Sequence, residues 1–412
     1  MSRPESPDRR VILGATFVRA LSTGMIGVLL GLHLAELGLG ATWIGTIVGC
    51  GLAGATCATV IVTFAAQRIG HKRALAAVTL LAFSGAIGLV FATHPVALAI
   101  AAFIGMANGM GRDRGAALVV EQSMLPATVG DGDRTRAFAI YNVLQDMGHA
   151  AGGLLAALPA VLAGAGTVPG VRESRLAIGF YALLSIAPVA FYARLSPAVE
   201  PGAARSRVAL SPGSRSILAR ISALFALDAL GGGFLTASLL AYFFRQKFGA
   251  DVAVIGMLFF AARIANAGSH LAAAWLARRI GLVNTMVFTH LPSSLLLVTV
   301  GFAPNFPVAA ALFLLRESLV EMDVPTRQSY VMAVVAPEER TFASGVTHLV
   351  RLGGWAAAPV VAGLAIERWS LAAPLVAAAG IKIAYDILLW RSFRRIKPPE
   401  ERRGQQPFSA RA

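Results

Sequence analysis

Apolar runs of about twenty residues, the length that crosses a bilayer as a helix, recur through the whole chain. Twelve can be counted, near 11–35, 42–66, 74–93, 96–120, 137–163, 174–194, 217–244, 251–277, 282–303, 307–330, 342–366 and 370–392. In lipid every backbone polar group must be satisfied within the protein, and a run of this length does so as an α-helix. Composition agrees. Of the 412 residues 56% are hydrophobic and 14% charged, and the mean hydropathy is +0.68. A soluble domain carries about 25% charged residues. This chain cannot cover itself with a polar surface, which excludes a soluble enzyme and a disordered polymer.

The net charge of +15 would suggest nucleic acid in a soluble protein. Here the basic residues sit in short segments between apolar runs, so a nucleic-acid partner is not expected. With the N-terminus on the cytoplasmic side, 26 lysines and arginines fall in inner segments and 5 in outer ones. That asymmetry predicts cytoplasmic termini, an even number of spans and insertion in a plasma (inner) membrane. The first run is too long for the apolar region of a signal peptide. Cys50 and Cys57, two turns apart on one helix and about 10 Å distant, cannot pair. No metal-ligand spacing is present, and neither a metal nor a cofactor is expected.

The halves echo each other. Glu121-Gln122-Ser123 followed by Asp133-Arg134-Thr135 matches Arg327-Gln328-Ser329 followed by Glu339-Arg340-Thr341. The offset is 206 residues in both pairs. Gln67-Arg68-Ile69-Gly70 likewise answers Arg278-Arg279-Ile280-Gly281. The predicted organisation is a six-helix bundle over 1–195, a Pro- and Arg-rich cytoplasmic linker over 196–216, a second six-helix bundle over 217–393 and a basic tail over 394–412. A duplicated six-span unit is how many secondary transporters are built, with a substrate site at midplane between the repeats.

At these residues the chain resembles the major facilitator superfamily. Thr63-Phe-Ala-Ala-Gln67-Arg68-Ile69-Gly70-His71-Lys72-Arg73 is similar to that family's signature between spans two and three. It keeps the Arg, the second Gly and the basic end, while Gln67 stands where the family has Asp, and the second copy has Arg278 there. In the family that Asp is thought to steady the outward-open state. Gly148-His149-Ala150-Ala151-Gly152-Gly153 resembles the span-five signature of proton-coupled antiporters, with His149 in place of Pro. The resemblance implies an all-α integral membrane fold of twelve helices in two pseudo-symmetric bundles. It leans toward the drug/proton antiporter branch.

A charge at the bilayer centre costs at least about 2.5–3.5 kcal/mol and needs a partner or a wet cavity. Arg19, Asp146, Asp228, Arg263, Arg316, Glu317 and Arg351 fall roughly 12–18 Å into their spans at 1.5 Å per residue. The family's layout puts all of those spans around the cavity. With His149, three residues after Asp146, they form the expected substrate and proton cavity. A second set lies near inner span ends and is expected to gate the cytoplasmic side or tie helices together. It comprises Gln67, Arg68, Gly70, Arg112, Glu121, Arg134, Arg278, Arg279, Gly281, Asp323, Arg327 and Arg340. Lys382 and Asp386, four apart on span twelve, can neutralise each other.

The sequence therefore predicts a secondary transporter, not an enzyme, acting as a monomer on a small molecule by alternating access. No phosphate-cradling Gly-x-x-x-x-Gly-Lys-Ser/Thr motif is present, so an ion or solute gradient must drive it. Protons are the expected coupling ion and export the expected direction. Transport of an organic anion is the rival within the class, because arginine's planar fork suits carboxylates. A non-transporting membrane sensor and a polytopic membrane enzyme are the rivals outside it, and proteoliposome flux separates both from a transporter.

Overall fold

The computed structural model describes residues 6–113, 115–129, 134–164, 170–200, 212–334 and 340–395. These are helical almost throughout. The helices are α1 Pro7–Glu36, α2 Ala41–Ile69, α3 His71–Phe91, α4 Pro95–Gly105, α5 Ala116–Met124, α6 Arg134–Leu155, α7 Leu158–Ala163, α8 Val171–Ile186 and α9 Pro188–Tyr192. They continue with α10 Pro212–Gly233, α11 Ala237–Phe248, α12 Val252–Ile280, α13 Leu282–Gly301, α14 Phe306–Val320, α15 Asp323–Val334, α16 Arg340–Arg368 and α17 Ala373–Phe393. Among the described residues, ten segments are long and apolar enough to cross a membrane.

The two expected spans outside those ten are four and ten, which occupy equivalent places in the repeat. Both are broken. Span four, expected as one run over 96–120, stops at Gly105 and resumes at Ala116. The break turns through left-handed backbone at Met106 (φ 51°) and Gly111 (φ 66°). Asn108 and Asp113 stand in for the lost helix bonds. Asn108 Oδ1 accepts from the Met110 amide at 2.9 Å, and its Nδ2 donates to the Arg112 carbonyl at 2.7 Å. Asp113 Oδ1 accepts from the Gly115 amide at 2.9 Å. Asn and Asp suit such turns because short polar side chains bond nearby backbone. Span ten is interrupted between α14 and α15 at Glu321 and Met322.

Two compact units are present. One comprises Met1–Arg205, Gly233–Arg263 and Trp355–Pro374, the other Ser206–Gly232, Ile264–Gly354 and Leu375–Ala412. The first is organised around α1. Its glycines Gly24, Gly27 and Gly31 lie three or four residues apart, on one helix face. Each is pressed against foreign backbone, at His149, Gly111 and Ser238 in turn. Small residues let helices approach this closely in lipid, where dispersion and hydrogen bonds replace the hydrophobic drive. At the start of α1 the Asp8 carboxylate accepts from the Ser196 amide at 2.7 Å and its hydroxyl at 2.6 Å. The second unit has its own core, with Phe225, Met286, Tyr330, Tyr385 and Phe393 buried together.

Candidate functional site

Each unit encloses a buried charge network that joins several spans. In the first, Glu121 on α5 is 0% exposed. It accepts from Thr16 Oγ1 at 2.8 Å, Arg19 at 2.5 Å, Tyr141 Oη at 2.7 Å and Tyr192 Oη at 2.5 Å. Arg19 also pairs with Asp113. The Asp113 amide donates to His149 Nε2 at 2.9 Å. Four spans thus converge on two carboxylates and one guanidinium. His149 Nε2 accepts, which fixes it as the unprotonated nitrogen of the ring.

Beside this network is a cavity of about 90 Å³ whose lining includes Arg19, Thr23, Thr79, Asn108, Asp113 and Tyr181. It opens where span four unwinds. A broken helix at membrane depth is tolerated where its backbone lines a cavity or is buried in protein. Its lining mixes these polar groups with apolar ones such as Ile26, Ala55, Val78 and Met106, and its volume is enough for a few water molecules.

In the second unit Asp228 on α10 accepts from Arg327 at 3.1 Å, Arg351 at 2.9 Å and Lys382 at 2.9 Å. Arg327 also pairs with Asp323 at 2.6 Å. His290 bridges Lys382 and Asp386, with Nε2 3.3 Å from Lys382 Nζ and Nδ1 3.0 Å from Asp386. Lys382 and Asp386 therefore do not neutralise each other directly. Lys382 reaches inward to Asp228, and His290 takes up Asp386. Phe225 lies under both arginines, with Arg327 at 5.2 Å and Arg351 at 5.8 Å from its ring centre. A cation over an aromatic face gains from the ring's quadrupole.

The two networks differ in balance. The second holds three carboxylates (Asp228, Asp323, Asp386) against three permanent cations (Arg327, Arg351, Lys382). Among the described residues, the first sets Asp113 and Glu121 against Arg19. Their geometry is related by the repeat with the signs exchanged. Span four brings a carboxylate, Glu121, to a cation on span one, whereas span ten brings a cation, Arg327, to a carboxylate on span seven.

The other expected cavity residues have local surroundings of their own. Asp146 is half-buried on α6 and makes no hydrogen bond or ion pair among the described residues. The structure does not pair it with Arg263, which donates to the Gly111 carbonyl at 3.3 Å. Arg316 pairs with its neighbour Glu317, and Glu317 accepts from Asn266 at 2.9 Å. Of the expected gate set, Glu121, Asp323 and Arg327 are buried inside the two networks. Arg112 is half-buried in the unwound segment, and Arg68, Arg278 and Arg279 are exposed. Arg279 stacks on Trp275 at 4.3 Å. Gly70 and Gly281 hold left-handed backbone at equivalent turns, φ 92° and 86°. The side chains of Gln67, Arg134 and Arg340 lie outside the described residues, as do much of the linker and tail. Reading the sequence missed Thr16, Tyr141, Tyr192 and Asn266 as partners, and Asp113 as a centre of the network. The turn-forming string Asn108-Gly-Met-Gly111-Arg-Asp113 is the local signal that span four breaks there.

A duplicated polytopic helix bundle with a buried ion network in each unit is the architecture of a membrane transporter. The chain belongs to the Major Facilitator Superfamily, whose family model matches residues 12–316 and again 221–411. That is a family of transporters, not of enzymes. An uncharacterized membrane protein of Saccharomyces cerevisiae is 22% identical over 418 residues, 93% of each chain. Among solved structures, the nucleoside transporter NupG superposes with a TM-score of 0.75 at 14% identity, covering 94% of this chain and 99% of its own. The human organic anion transporter TETRAN gives 0.60 at 16% identity, covering 94% and 100%. At these identities the likeness concerns the fold.

Proposed function

We propose that the chain is a proton-coupled secondary transporter that exports a small molecule by alternating access, with Asp113, Arg19, Glu121 and His149 as its coupling site. The observation that carries this reading is the charge count of the first network. Among the described residues one guanidinium faces two carboxylates, an imbalance that favours a proton on one of them over a buried charge without compensation. The second network is balanced and has no such need. Asp113 is the carboxylate that lines the cavity, whereas Glu121 is sealed among four donors. A proton on Asp113 weakens its hold on Arg19 and on the unwound segment. That ties protonation to a part of the chain able to move. Export is supported by the likeness of 148–153 to the antiporter signature, where Gly148 and Gly152 pack on α1 backbone and Gly153 faces Gly256.

The test is flux in proteoliposomes under an imposed pH gradient, with anionic, neutral and cationic solutes as separate arms. Asp113→Asn is expected to lose uphill transport by at least about tenfold. Counterflow, which needs no net proton movement, should survive. Uphill transport at the parent rate would remove Asp113 from the coupling site. Loss confined to Asp146→Asn would move the site there.

A further inference from the structure

The first unit contains a contact that the coupling site does not use. α2 begins at Gly40, which has no side chain to cap it. Four amides at a helix start lack partners in their own helix, and the dipole there favours a carboxylate. The carboxylate comes from 325 residues away. Glu367, at the end of α16, accepts from the Thr42 amide at 2.9 Å and from Thr42 Oγ1 at 2.5 Å. A Cβ at Gly40 would strike Glu367 Oε1, so glycine is what admits the carboxylate. Below this cap the helices are in backbone contact, Gly45 against the Pro359 carbonyl and Gly363 against the Ala41 carbonyl. The seal continues on α11. Ser238 Oγ donates to the Gly27 carbonyl at 2.7 Å, and its amide donates to the Gly109 carbonyl at 3.0 Å. All of this lies toward the end of α1 remote from Asp8.

We propose that Glu367 is a latch. By capping span two from span eleven it holds this face of the transporter shut, and it must release Thr42 in every cycle. The inference rests on the alternating-access reading. Among the seal contacts, Glu367 alone carries a charge on a flexible side chain, so it can let go without the backbone being rebuilt first. The other contacts are fixed backbone and a serine, and they separate only as rigid helices.

The experiment measures access to Val48, which is 0% exposed on α2 below the latch, against Gly109. In the full chain with Cys50 and Cys57 replaced by serine, Val48→Cys is labelled by a membrane-impermeant maleimide in oriented vesicles. Glu367→Gln keeps the shape and removes the charge, and it is expected to speed labelling about tenfold. Thr42→Val removes the hydroxyl alone and should give a smaller gain. The double variant should gain less than the product of the two, because both act on one contact. Labelling of Glu367→Gln at the parent rate, with an unchanged melting temperature, overturns the latch. If the parent moves no solute and its labelling never responds to a pH gradient, the transport reading fails instead. Faster labelling in Glu367→Gln would then still mark the contact as a latch.

Discussion

Glu121 shows what one buried carboxylate can organise. Two tyrosines, a threonine and an arginine, from three different spans, donate to a side chain that is 0% exposed. A Gln amide there would leave Arg19 its pair with Asp113, but it would remove an acceptor from donors on Thr16, Tyr141 and Tyr192, and each buried donor left unsatisfied costs about 1–3 kcal/mol. Glu121→Gln is therefore expected to lower the melting temperature sharply, and Asp146→Asn to leave stability within about 0.5 kcal/mol, as for a half-buried position with no partner among the described residues. Thermal unfolding of the two variants in one detergent makes the comparison. Equal melting temperatures would mean that the network contributes no stability. The same reasoning separates the two histidines. His149 accepts from backbone and so ties a segment in place, while His290 relays between Lys382 and Asp386 and so ties charges together.

Helices in this protein are often finished by groups from elsewhere in the chain. α3 begins at Gly70, which like Gly40 carries no cap. Glu200 supplies one, accepting from the His71 amide at 2.6 Å and the Lys72 amide at 3.3 Å. α1 packs by the opposite device, omitting side chains where backbones meet. Gly24 is a direct test, since a Cβ there would lie 2.8 Å from the His149 Cα and closer still to its carbonyl oxygen. Backbone cannot yield as a side chain can, so Gly24→Ala is expected to cost about 1–3 kcal/mol from overpacking. Gly179, on α8, has nothing within 4 Å. There alanine removes glycine's entropic penalty and is expected to stabilise by about 0.5–1 kcal/mol. Opposite signs in a paired melting experiment would confirm the packing; a neutral Gly24→Ala would refute it.

Over the whole molecule, the basic asymmetry gives a topology that labelling can check. Tags at either terminus, or in the 196–216 segment, are expected to react only from the cytoplasmic side, since 26 basic residues flank that side and 5 the other. Reaction from outside at any of the three would reverse the orientation. Much of the division of labour between the repeats follows from charge. One network is balanced and holds spans seven, nine, ten, eleven and twelve together. The other, among the described residues, has two carboxylates to one guanidinium beside a cavity, the imbalance on which the proposed proton coupling rests.

By itself, the sequence determined the membrane class, the all-helical fold and the duplication. Those depend on the length of apolar runs, on their number and on residues in fixed local order, such as Gln122 and Gln328 at matching spacing. It also flagged the residues that needed partners, because an ion buried in lipid is costly in any fold. Tertiary structure decided who the partners were. Asp146 and Arg263 sit at matching depth but stay apart. Lys382 and Asp386 share a helix face, yet each turns to another span. Depth and helical phase fix two coordinates of a side chain. Pairing depends on the third, the approach of one helix to another, which in the first unit is set by glycines meeting backbone across its spans. Span four broke for the same reason. The string from Asn108 to Asp113 permits a turn, and it takes the Asp113 contacts with Arg19 and His149 to hold one there.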